Sequence, residues 1–275
     1  MAVDHYENFP VASLLLPRRL RAPVRDIYRY ARTADDIADE GCAAPEQRLR
    51  DLGEYRKALQ SIDAGMPALP DDNPLSAIFN PLHATITAFD LPITPFFDLI
   101  SAFEQDVITD RYESDAQLLD YCRRSANPVG RLMLHLYQAA SLQNITQADA
   151  ICTGLQLTNF WQDIAIDFEK NRIYLPQEKM RHYGVTQTHI SDRMHGDIAW
   201  QALMRGQTRQ ARELLVSGLP LTQRLGGRIG LELKLVVHGG LRILERLDQL
   251  HYDIFFHRPT LNKGDWLRLC WRMLH

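Results

Sequence analysis

The sequence predicts an all-α fold on three observations. Apolar residues recur at spacings of three and four almost throughout, alternating strand-like runs bounded by hairpin turns are missing, and prolines and glycines fall where helices of that period should start and stop. At 275 residues and 45% hydrophobic content the chain can bury a substantial core. No composition break, flexible linker or fixed-period repeat divides it, so residues 1–275 are expected to form one domain.

The elements follow in order. Pro23 suits the first turn of a helix running to about Glu40, with Gly41 as its stop. A second helix covers Glu46 to Ala64, and GMPALPDDNP is a loop by its proline, glycine and aspartate content. Further helices are expected at Pro74 to Ala88, Pro92 to Thr109, Ala116 to Ser125, Val129 to Leu142 and Gln147 to Glu169. LPQEKMRHYGV reads as a short helix after a loop. Long segments then run near Asp197 to Ser217 and Arg228 to Phe256, before a terminal helix from about Lys263.

With 31 basic and 34 acidic residues the net charge of -3 gives no basic field, so nucleic acid is not an expected partner. Cys42, Cys122, Cys152 and Cys270 lack C-x-x-C spacing, which supports neither a zinc site nor a disulfide framework and makes a reducing cytoplasm the expected location. The N-terminus has no apolar signal-like region, and no apolar run is long enough to span a bilayer. In WLRLCWRMLH, Trp266, Leu269, Cys270 and Met273 share a helical face that could pack on the core or touch a membrane surface. His83, His135 and His238 form no ligand-spaced pair.

Chemistry is concentrated in two acidic clusters. RTADDIADE places four carboxylates within six consecutive residues at the end of an apolar helix, where like charges repel and the macrodipole is unfavourable. Something must compensate. QLTNFWQDIAIDFEKNRIYLP repeats the spacing, so D-x-x-x-D occurs as Asp35 with Asp39 and as Asp163 with Asp167. On a helix a separation of four rotates roughly 400°, which puts both carboxylates of a pair on one face about 6 Å apart along the axis. Such a pair suits a hard divalent cation, and magnesium favours one or two carboxylates completed by phosphate oxygens. One such pair alone is common on a solvated helix face. Two pairs, with Arg32 and Asn159 one turn before them and Arg172 five residues after Asp167, suggest two facing helices that clamp Mg2+ and a diphosphate. The interleaved Phe160, Trp161, Ile164 and Ile166 suggest a hydrocarbon pocket beside the charged mouth.

These residues resemble the squalene and phytoene synthases over nearly the whole chain. The resemblance is carried by YRYARTADDIAD (Tyr28, Arg32, Asp35, Asp39), DYCRRSANPVG (Tyr121, Gly130), QLTNFWQDIAIDFEKNRIYLP and RILERLDQLHYDIFFHRP (Tyr252, Arg258). It implies an isoprenoid synthase helical bundle around a central cavity, with Asp35, Asp39, Asp163 and Asp167 holding an isoprenoid diphosphate through Mg2+. It also implies working roles for Tyr28, Arg32, Tyr121, Asn159 and Arg172, and substrate contacts from Tyr252 and Arg258. Other enzymes of the squalene pathway are plausible partners.

Three departures from the usual family pattern, HYENFPVAS near the start, ANPVG with Asn127 and Pro128, and Gln162 before Asp163, resemble the hydroxysqualene-forming branch of the bacterial hopanoid pathway. That branch ionises presqualene diphosphate and captures the cation with water. Phe9, Phe160 and Trp161 are then expected along the apolar cavity, and Asn8, Asn127 or Gln162 near the water. The alternatives are a transferase joining two prenyl diphosphates, and a non-catalytic helical scaffold.

Overall fold

Leu20, Val24, Ile27, Tyr30, Ala34 and Ala38 repeat every three or four residues, and the helix they imply, α1, runs Arg18–Asp39 with all six buried. The computed structural model describes residues 16–262 together with 264 and 265. The expectations resting on Asn8, Phe9 and the segment 266–275 lie outside the described residues. Twelve helices and one isolated parallel bridge, Arg111 to Ile173, are present among them. None of these helices is long and apolar enough to cross a membrane.

After α1 come α2 (Pro45–Asp63), α3 (Ser76–Phe89), α4 (Thr94–Ile108), α5 (Asp115–Ser125) and α6 (Asn127–Leu136). The long α7 (Leu142–Glu169) is followed by the short α8 (Gln177–Tyr183) and α9 (Gln187–Ser191), then α10 (Ile198–Gly218), α11 (Pro220–Leu225) and α12 (Gly227–Gln249). Helix α7 is the axis of the assembly and packs chiefly on α10 and α6. Gly154 explains part of that closeness, because a Cβ there would come within 2.9 Å of Leu215 on α10.

Two apolar clusters form the core. One gathers α1 to α4, including Tyr30, whose hydroxyl donates to the Phe96 carbonyl at 2.9 Å. The other surrounds α7, with Trp161 and Trp200 fully buried. Helix α6 feeds both, giving Leu132 and Leu136 to the first and Leu134 to the second. Each fully buried leucine of this kind contributes about 1.5–3 kcal/mol.

The boundaries that differ from expectation have local causes. α1 begins at Arg18, so Pro23 is an interior residue; it is buried beside Leu20 and Val24, and that burial offsets the hydrogen bond proline cannot donate. α6 stops at Leu136, with Gln138 in the left-handed region, and Ser141 then caps α7 by accepting from the Asn144 amide. α12 stops at Gln249 rather than near Phe256, because His251 and Tyr252 both take positive φ. The short α9 and α11 carry too few residues to show a period.

Candidate active site at the mouth of the bundle

Asp39 is the last residue of α1, Asp106 lies two residues before the end of α4, and Asp167 lies two before the end of α7. The loops beyond α4 and α7 bring these ends together: the Ile173 amide donates to the Asp110 carbonyl at 3.0 Å, and the Gln177 amide to that of Tyr112 at 2.9 Å. Arg111 reinforces the junction through the Asn171 side chain at 3.1 Å. Three helix C-termini, each bearing partial negative charge and an aspartate, therefore meet at one mouth.

Arg172 is held at the centre of that mouth. Its Nη1 donates to Asp39 Oδ2 at 2.9 Å, while Nη2 donates to Asp39 Oδ1 and to the Asp106 carbonyl at 3.1 Å. Lys170 Nζ stands 3.7 Å from the same aspartate. On the second pair, Arg258 Nε donates to Asp163 Oδ1 at 2.6 Å and Nη2 to Oδ2 at 3.1 Å. Arg32 turns along its own helix to Asp35 at 3.1 Å, Asp36 at 2.6 Å and Glu40 at 2.8 Å. Arg48 closes the end of α1 on the Ile37 and Gly41 carbonyls, at 2.8 and 2.9 Å. The carboxylate crowding of this stretch is thus compensated first by arginines of the chain itself.

Compensation is incomplete. Burial, reinforced by Asp39, pushes Asp35 up to about 6. Burial, reinforced by Asp163, pushes Asp167 up to about 7. Asp106 is also driven to about 7, by burial, although Tyr121 donates to its Oδ2 at 3.0 Å; its Oδ1 is shut off from solvent with no hydrogen-bond partner. For Asp39 burial acts upward as well, but the Arg172 hydrogen bonds prevail and its pKa is lowered. Arg172 shows the reverse balance: burial works against its charge, and the bond to Asp39 outweighs it and raises its pKa.

Such a donor set is short of positive charge and fits a divalent cation held by an aspartate pair and completed by ligand oxygens. It does not form an all-protein cage: among the described residues no three acidic, histidine or cysteine groups converge on one metal position.

Residues 2–265 match the sequence profile of the squalene/phytoene synthases. The chain belongs to that family. It is 31% identical over 266 residues to a hydroxysqualene synthase of Zymomonas mobilis, covering 96% of this chain and 85% of that one. It is 32% identical over 225 residues to a phytoene synthase of Mycobacterium tuberculosis, covering 80% and 70%. The crystal structure of squalene synthase HpnC from Alicyclobacillus acidocaldarius superposes with a TM-score of 0.80 at 33% identity, covering 90% of each chain. Family members act on isoprenoid diphosphates and generally use a divalent metal.

In this synthase the mouth gathers Arg32, Asp35, Asp39, Asp163, Asp167, Arg172 and Arg258, with Tyr121 joined through Asp106. Tyr28 and Asn159 each lie one turn before their cluster, half-buried on the helix face that bears it. Beneath them Phe160 stacks on Tyr174 with centroids 3.8 Å apart, and Tyr121 lies 6.2 Å from both rings.

Several of the residues expected near the substrate also take part in the packing of the scaffold. Trp161 is fully buried and Phe160 nearly so. An apolar cavity of about 150 Å³ lies more than two helical turns further down α7, between Ala148, Ile151 and Cys152 and residues of α6, α11 and α12. Asn127 Oδ1 accepts from Thr153 at 2.9 Å, Gln162 donates to the Pro259 carbonyl, and Tyr252 donates to Asp248 at 2.7 Å. All three side chains are buried where helices and loops meet. Asp106 was missed, although Asp106 and Asp110 form a further D-x-x-x-D in the sequence.

Proposed function

We propose that this chain is a Mg2+-dependent hydroxysqualene synthase, which ionises presqualene diphosphate, guides the rearrangement of the resulting cation and captures it with water. The observation that carries the reading is the convergence of three helix C-termini and their aspartates on one mouth around Arg172. A surface that negative repels a diphosphate unless cations intervene, whereas the aromatic floor below it suits a hydrocarbon cation. Relatives at 31 to 34% identity are hydroxysqualene synthases.

Asp35 with Asp39, and Asp163 with Asp167, would hold the metal. Bound there, it supplies charge neutralisation and Lewis acidity to the leaving diphosphate. Arg172 and Arg258 orient phosphate oxygens through their planar forks, and Arg32 holds Asp35 of the first pair. Tyr121, Phe160 and Tyr174 form a floor that excludes bulk water while positive charge migrates. Water capture releases one proton, and Asp106 Oδ1 is the acceptor this chain offers for it. Asn127 and Gln162 are not assigned to the water, since each is engaged by the scaffold. The same reading takes residues 1–275 as one domain, since α6 serves both cores.

The test is incubation with Mg2+ and either presqualene diphosphate or farnesyl diphosphate, followed by extraction of the products. Hydroxysqualene from the first substrate and nothing from the second is expected. Presqualene diphosphate, squalene or phytoene formed from simple prenyl diphosphates would replace this reading with a prenyltransferase, in line with the phytoene synthases among the relatives.

A further inference from the structure

Each aspartate pair has one member whose two oxygens are both engaged by an arginine distant in sequence. Asp39 is gripped by Arg172 and Asp163 by Arg258, in both cases with two parallel N–H donors. A guanidinium fork takes the in-plane lone pairs that a chelated cation would use, and a divalent ion sharing the same carboxylate would sit against a fixed positive charge. As the chain stands, neither pair can chelate as a pair. The diphosphate meets the complementary obstacle, because the arginines that should receive it are already occupied by carboxylates.

We infer that Arg172 and Arg258 are stand-in counter-ions that change partners when the site loads: divalent cations take Asp39 and Asp163, and the released guanidiniums turn to the diphosphate. This rests on the metal-dependent reading above and adds a regulation to it. Cation and diphosphate each remove the other's competitor, so they bind cooperatively beyond any direct bridge between them. Neither ligand alone opens the site fully. Arg172 is suited to the exchange because its Nη2 also donates to the Asp106 carbonyl, a tether that keeps the side chain in the mouth once Asp39 lets go.

The test uses Mn2+ as the cation, followed by its electron paramagnetic resonance signal, and inorganic pyrophosphate as the anion. Wild-type protein, Arg172→Met and Arg258→Met are compared, with circular dichroism confirming that each is folded. Exchange predicts that at least one folded variant binds Mn2+ without pyrophosphate at least about fivefold more tightly than wild type, while its pyrophosphate affinity in Mn2+ falls. If the arginines only contact pyrophosphate, Mn2+ affinity without it stays unchanged. If they are only structural braces, it falls. Either result overturns the exchange while leaving the metal-dependent reading intact.

A measurement without substitution covers the case in which neither variant folds. In wild type labelled with 15N-arginine, the diamagnetic pair Mg2+ and pyrophosphate should move the guanidinium resonances of Arg172, bonded through Nη1 and Nη2, and of Arg258, bonded through Nε and Nη2, to new positions. Resonances that stay in place under Mg2+ and pyrophosphate overturn the exchange. Absence of Mn2+ binding to wild type under every condition overturns both the exchange and the metal-dependent reading.

Discussion

Replacing Asp106 with asparagine should make the protein more stable, and increasingly so as pH rises. Burial drives the Asp106 carboxyl from its ordinary 3.8 to about 7. Below the lower value both folded and unfolded chains carry the proton, and the group has no effect on stability. Between the two values the unfolded chain ionises while the folded one keeps its proton, so folding is increasingly disfavoured; above about 7 the penalty is constant. At about 1.4 kcal/mol per decade the full penalty is about 4 kcal/mol. Oδ1 is sealed from solvent but the residue as a whole is only half-buried, and that partial solvation lowers the figure to about 2 kcal/mol. Asparagine keeps an acceptor for the Tyr121 hydroxyl at this position and cannot ionise. Urea unfolding of wild type and Asp106→Asn at pH 5 and pH 8 measures the difference, which should grow by roughly 1–2 kcal/mol between the two conditions. A stability difference that is the same at both pH values refutes the argument. The other raised aspartates, Asp35 and Asp167, are common to both proteins and cancel in the comparison. Turnover should fall in the variant, because the buried proton acceptor is lost.

Chelation of divalent ions with EDTA should abolish turnover of presqualene diphosphate, and excess Mg2+ should restore it, with product extraction as the assay. Gly230→Ala sets a Cβ 2.2 Å from the Thr222 carbonyl oxygen, a backbone atom that cannot step aside. It should cost about 1–3 kcal/mol in urea unfolding through the α11–α12 junction, with no selective effect on Mg2+ dependence.

What the sequence disclosed divides along physical lines. Helix type and order were legible because burial writes itself into spacing: the residues that α1 buries are those whose three- and four-residue rhythm predicts it. The two aspartate pairs were legible for the same reason, since four residues along one helix fix relative position without reference to the rest of the chain. Contacts across the chain leave no such trace. Nothing near position 39 announces that Arg172, 133 residues later, will grip its aspartate; that follows from the junction between the loops beyond α4 and α7. Asp106 was obscured likewise, because its spacing to Asp110 signals nothing until α4 is seen to end beside α1 and α7. Asn127 and Gln162 show a second demand on such positions. A polar side chain at an unusual position suggests a ligand contact, yet inside a helical core its first obligation is to a buried hydrogen bond, and both residues meet that obligation within the scaffold. The charged groups left without full compensation, Asp35, Asp106 and Asp167, are those that gather at the mouth. A fold that satisfies polar groups in its core and leaves a deficit of positive charge at one opening is poised to take up cations there.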